Sequence, residues 1–126
     1  MKLTPFSLSS VDASSRFADL ALSRLSRRQR QIVSMNIATP RMSLFEGTIC
    51  HTFDNFPNFA AALIYLDGPD PNQIIGDVAG FSVNTVDAVG GYNLPMSADL
   101  LRLEYFLQPG CQIVIDGRGA NAEFLR

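Results

Sequence analysis

The chain has 126 residues, of which 47% are hydrophobic and 17% charged, with a formal net charge of −2. That balance predicts one buried core in a single domain, residues 1–126, rather than a disordered chain. It also lacks the excess of positive charge by which nucleic-acid or membrane-surface binders are read, so neither partner is expected.

In chain order, residues 3–11 read as a first strand, weakened by Pro5 and rich in serine, that ends on Asp12. Residues 13–30 read as a helix capped by Ser14 or Ser15, with Phe17, Ala18, Ala21, Leu22 and Leu25 at helical spacing. Arg24, Arg27, Arg28 and Arg30 crowd its end. Positive charge suits a helix C-terminus, and a phosphate or acidic-partner site is the alternative reading of the same cluster. Residues 31–38 form a second strand that stops before Pro40. The stretch 41–59 is expected to be irregular, with a short extended piece at 47–53.

Residues 61–66 (Ala61 to Leu66) are a short apolar run closed by Asp67-Gly68-Pro69, the pattern of a strand buried on both faces. The connection 68–95 is long and rich in Gly and Pro, including Gly76, Gly80, Gly90 and Gly91, with a short helix expected at 72–78. Residues 97–107 read as an amphipathic helix, apolar at Leu100, Leu101, Leu103, Phe106 and Leu107. Pro109-Gly110 then turns the chain into a second buried run, Ile113-Val114-Ile115, closed by Asp116-Gly117. Residues 120–126 read as the first turns of another helix. Strand–helix–strand, twice, predicts an α/β fold with a mostly parallel sheet and flanking helices.

Ligands in open α/β sheets sit outside the carboxyl ends of the strands, where Asp12, Asp67 and Asp116 fall. A carboxylate can accept both hydroxyl protons of a ribose diol, and it can equally cap the first turn of a helix, so Asp12 has both readings. Asp67 and Asp116 are candidate ligands for a hard cation such as magnesium, or caps of the turns that follow them. His51 is the chain's only histidine, hence the one imidazole available as a general base, and its alternative reading is a hydrogen-bonded surface residue. Asp70, Arg118 and Asn121 are candidates to line the same mouth. Cys50 and His51 are neighbours on an extended segment, so they point to opposite faces and are poorly placed to act as a pair.

The succession Tyr65-Leu66-Asp67-Gly68, a helix, Leu107-Gln108-Pro109-Gly110 and Ile113-Val114-Ile115-Asp116 resembles the later part of class I S-adenosylmethionine-dependent methyltransferases, in their sugar and macrolide O-methyltransferase-like branch. Phe45-Glu46-Gly47-Thr48-Ile49-Cys50-His51 and the tail from Asp116 to Ala122 carry the same resemblance, and Ser10-Val11-Asp12 is similar to the end of that family's second strand. The resemblance implies a Rossmann-like sheet, S-adenosylmethionine as cofactor with Asp12 on its ribose, Asp67 and His51 as catalytic candidates, and magnesium held by Asp67 and Asp116. It implies methyl transfer to a hydroxyl of a sugar or small-molecule substrate. Gly117-Arg118-Gly119, the one G-x-G, follows the last strand and so has the wrong place in the fold for the family's cofactor loop, and the chain reads as an interior fragment with about four core strands, inactive alone. The alternative is a non-catalytic α/β interaction module, a homo-oligomer joined through open sheet edges. No signal-peptide core or transmembrane run is visible and Cys50 and Cys111 are the only cysteines, so a cytoplasmic protein with reduced thiols is expected.

Overall fold

A computed structural model describes residues 7–58, 60–85, 95–116 and 119–126. Residues 3–6 of the first predicted strand, Gly90, Gly91, Gly117 and Arg118 lie outside the described residues. The chain is mixed α/β. Its first unit is β1 (Leu8–Asp12), α1 (Ser15–Ser23), α2 (Arg27–Arg30) and β2 (Val33–Ile37), with β1 and β2 parallel in the register Leu8 to Val33 through Asp12 to Ile37.

The single helix expected over 13–30 is two. Ser14 caps α1 by accepting from the Phe17 N–H at 3.3 Å. Ser26 then opens α2 with a capping box, its hydroxyl accepting from the Gln29 N–H while the Gln29 side chain accepts from the Ser26 N–H at 2.8 Å. A serine that can bond its own backbone competes with helix propagation, which is why the chain breaks there. Of the four arginines, Arg30 serves the helix end: its guanidinium donates to the Leu25 carbonyl at 3.1 Å and the Ser23 carbonyl at 3.4 Å.

The stretch expected to be irregular holds a hairpin, β3 (Pro40–Phe45) and β4 (Thr48–Phe53). Its two-residue turn has positive φ at both centres, 47° at Glu46 and 82° at Gly47, the backbone twist that matches antiparallel strands. Pro40 starts β3 instead of ending the region. It has no N–H to donate, but its carbonyl accepts from the Ile75 N–H at 3.0 Å, and the Ile75 carbonyl accepts from the Met42 N–H at 2.9 Å. The far edge of β4 carries β6 (Met96–Ser97), so β4 is the middle strand, and Cys50, His51, Thr52 and Phe53 are all buried.

Between hairpin and β6, β5 (Leu63–Leu66) pairs in parallel with β7 (Gln112–Ile115), from Leu63 with Gln112 to Leu66 with Ile115. The expected helix at 72–78 is only a 3-10 turn, Pro71–Gln73, capped by Asp70. The helix expected over 97–107 reduces to α3 (Asp99–Arg102) and a 3-10 turn, Glu104–Phe106. Leu100 and Leu103 reach the core, whereas Tyr105 is 91% exposed, so the apolar stripe is shorter than the spacing suggested. Gly110 turns into β7 at φ 84°, and α4 (Gly119–Phe124) follows. The four strands expected of a parallel sheet are thus present as two separate parallel pairs, beside a three-stranded mixed sheet that the sequence reading did not anticipate.

Candidate functional site

In a parallel ladder a residue turns both its N–H and its C=O to the same side, and successive residues alternate. The Leu8 N–H donates to Ile32 and the Asp12 carbonyl accepts from Ala38, so Leu8, Ser10 and Asp12 face β2. Ser9 and Val11 therefore direct their main-chain groups to the other edge. The same count on β5, where Ala62 and Leu66 carbonyls accept from Gln112 and Asp116, turns Leu63 and Tyr65 away from β7.

Those two edges line one cleft of about 570 Å³, walled by β1 on one side and β5 on the other, with Phe17, Phe53, Phe56 and Leu100 also facing it. Volumes of this order suit a small ligand. Four aspartates line the cleft, Asp12, Asp67, Asp70 and Asp99, and no lysine, arginine or histidine of the described residues does. Field lines focused between low-dielectric walls make such a cleft attractive to cations.

Each acid is held differently. Asp12 Oδ1 accepts from the Ser14 N–H at 2.7 Å, which fixes the turn into α1 and leaves Oδ2 for another donor. Asp70 Oδ1 accepts from the Asn72 N–H at 2.9 Å, so it serves mainly as a turn cap. No hydrogen bond from the described residues holds the Asp67 carboxylate. Asp99 is 2% exposed and accepts from the Phe53 N–H with both oxygens, at 3.0 and 3.3 Å, and from the Ser97 hydroxyl at 3.2 Å. Burial pushes its pKa up to about 6, against the opposing pull of those donors and of Arg102.

Asp12 and Asp67 thus come to one cleft, and Asp116 and His51 do not line it. Asp116 accepts a hydrogen bond from the Tyr65 hydroxyl, and that bond, before the charges of Asp116 and Asp67, raises the phenol's pKa above its ordinary value. Among the described residues no group of three His, Cys, Asp or Glu side chains gathers as a metal site. Asp116 does not line the cleft and no third such ligand joins Asp67 among the described residues, so the aspartate pair does not fit a magnesium centre. His51 is fully buried, and its Nδ1 lies 2.8 Å from the Pro95 carbonyl oxygen. That contact makes Nδ1 the protonated nitrogen and the ring a buried polar strut between β4 and the chain entering β6. Cys50 Sγ instead meets the Ser43 carbonyl at 3.5 Å, and its thiol pKa is raised by burial and then by the charge of Asp99.

Asp99, with Ser97 beside it, carried no expectation from the sequence, whereas Asn121, expected at the mouth, does not line the cleft and is turned to the Ser97 backbone. Asn121 Oδ1 accepts from the buried Ser97 N–H at 2.8 Å. An aspartate in a helix's first turn was the available signal, but its real partner, Phe53, is 46 residues away. Among the described residues no helix is long and apolar enough to cross a membrane. No family model, no curated protein and no solved structure matches the chain.

Proposed function

We propose that this is an S-adenosylmethionine-dependent O-methyltransferase-like α/β protein, Rossmann-like in plan, whose described residues hold the nucleoside end of a cofactor site without a glycine-rich cradle. The observation that supports it is the convergence of Asp12 and Asp67, each at the end of a parallel-paired strand, on one acidic cleft with aromatic walls. Asp12 Oδ2 is the acceptor for the ribose diol, Phe17, Phe53 and Phe56 supply apolar surface for the base, and the carboxylates complement a cationic sulfonium. When bound, S-adenosylmethionine supplies an electrophilic methyl group for in-line attack by a substrate hydroxyl. Asp67 is the carboxylate placed to accept that hydroxyl's proton, since His51 is sealed from the cleft.

Among the described residues no G-x-G turn borders the cleft, so this chain alone is expected to bind the nucleoside weakly and not to transfer methyl groups. Nuclear magnetic resonance with millimolar S-adenosylhomocysteine tests this. Shifts confined to the neighbourhood of Asp12, Phe17 and Asp67, weakened several-fold in Asp12→Asn, support the reading. No shifts at all would overturn it, and micromolar affinity would overturn the missing cradle.

The second reading, a non-catalytic interaction module, is favoured by one observation. The two strands that wall the cleft also carry exposed apolar side chains, Leu8 at 47% and Leu63 and Tyr65 at 62% and 63%. Uncovered edges of that kind are templates for pairing with another chain.

A further inference from the structure

We infer that the cavity between the end of β4 and α3 binds a small, singly charged hydroxycarboxylate through Arg102, Asn55 and Asn58. It measures about 260 Å³ and lies beside the larger cleft, with Phe53, Phe56 and Asp99 lining both. Neither β1 nor β5 contributes to its lining, so the site is independent of the gap between those strands and of the cofactor reading.

Hydrogen bonding sorts its polar groups into two sets. The carboxylates are already satisfied. Asp54 accepts from the Thr39 N–H at 2.9 Å and from the Arg41 guanidinium at 3.5 Å, which also supplies its counter-charge. The oxygens of Asp99 are taken by the Phe53 N–H and the Ser97 hydroxyl. The donors are not: no hydrogen bond from the described residues holds the side chains of Asn55, Asn58 or Arg102. The cavity therefore offers one guanidinium, which can only donate, and two carboxamides that can donate and accept.

Charge and size narrow the occupant. A guanidinium fork matches a carboxylate through two parallel hydrogen bonds. One such cation fits one negative charge, whereas a phosphate would bring up to about two beside Asp54 and Asp99. The carboxamides suit a hydroxyl next to the carboxylate. A cavity of this volume lies just under the range that takes drug-sized ligands, so the carbon body is short.

Asp99 ties the site to the proton. The charge of Arg102 opposes the rise that burial causes in the Asp99 pKa. An anion that neutralises Arg102 withdraws that pull and adds repulsion, so it binds best when Asp99 is protonated. Of the other titratable groups on the elements packed here, Asp54 is held below its ordinary value of 3.8 and the Cys50 thiol above its ordinary 9.0, so both keep their state at mildly acid and neutral pH. His51, buried on β4, is told apart by Asp99→Asn.

The probe is lactate, ionised at pH 5 and at pH 7.5, with lactamide as its neutral counterpart. Each is titrated into the intact chain at both pH values and followed by nuclear magnetic resonance. Lactate should bind in the millimolar range at pH 5, shifting the Asn55, Asn58 and Arg102 amides, and about tenfold more weakly at pH 7.5. Lactamide should not bind. Asp99→Asn should bind at pH 7.5 as the parent does at pH 5. Arg102→Gln, with its folded amide spectrum intact, should lose about tenfold or more at either pH. Lactamide binding equal to lactate, or binding unchanged in Arg102→Gln, would overturn the anion. A pH dependence that survives in Asp99→Asn would overturn the link to that residue, and shifts at Asp12 and Asp67 instead would overturn the location. No lactate binding at either pH would overturn the site itself.

Discussion

Replacing Asp99 by asparagine should stabilise the protein at neutral pH and not at acid pH. The carboxyl group is held at about 6 in the fold against an ordinary value of 3.8, with burial the main cause. A folded pKa above the unfolded one means that the protonated acid favours folding. That contribution is fully present below pH 3.8, declines as pH rises, and is lost above about 6. A shift of roughly two units is worth about 3 kcal/mol between the two limits. Asparagine keeps an acceptor for the Phe53 N–H and turns its amide toward the Ser97 hydroxyl, so it retains the neutral form's bonds without the charge. Urea unfolding of both proteins at pH 4 and pH 7.5 measures the difference. Near-equality is expected at pH 4 and a gain of about 2–3 kcal/mol for Asp99→Asn at pH 7.5, or on the order of 1–2 M in midpoint. Because every other acid titrates in both proteins, the difference isolates this one. An offset that stays constant across pH would refute the argument. Asp99→Ala is the control for the bonds themselves, and it should lose about 1–3 kcal/mol at acid pH by leaving a buried N–H without its acceptor.

Gly47→Val places a β-branched side chain at φ 82° in the hairpin turn and should cost about 1–2 kcal/mol in a thermal or urea melt. No loss would mean that the turn tolerates another geometry. Tyr65→Phe should remove a phenol whose pKa is raised, so the difference in tyrosinate absorbance between the two proteins should have its midpoint above the ordinary value of 10. A difference centred at that value would show that Asp116 does not hold the hydroxyl.

Local pattern carried the parallel pairs, because Ile64 and Ile113 sit in short apolar runs punctuated by Asp-Gly and Pro-Gly. It failed at the hairpin for a specific reason. Glu46-Gly47 is a weaker turn signal than Asn-Gly, and Pro40 read as a stop when it stands at the start of an edge strand. The Ser26 break is written in Ser26-x-x-Gln29, just past the last apolar position of the stripe, Leu25, where the arginines alone continue the helical composition. Of the site, Asp12 and Asp67 were visible as strand ends. Asp99 was not, since its character comes from burial against a backbone N–H on β4, and no window of sequence contains both. His51 likewise gives no local sign that the Pro95 carbonyl will meet its ring.

The hairpin also sets an order of assembly. Phe45 and Thr48 are three residues apart, while Leu8 and Val33 are separated by 25 and Leu63 and Gln112 by 49. Closing the longer of these loops costs about 0.6 kcal/mol more entropy than the shorter, and both cost more than the hairpin's tight turn. A hairpin zips in microseconds from neighbours already in reach, whereas parallel pairs wait for distant segments to meet. The sheet of β3 and β4 is thus the scaffold on which slower contacts are registered. The two edges that face the cleft belong to the pairs that form last.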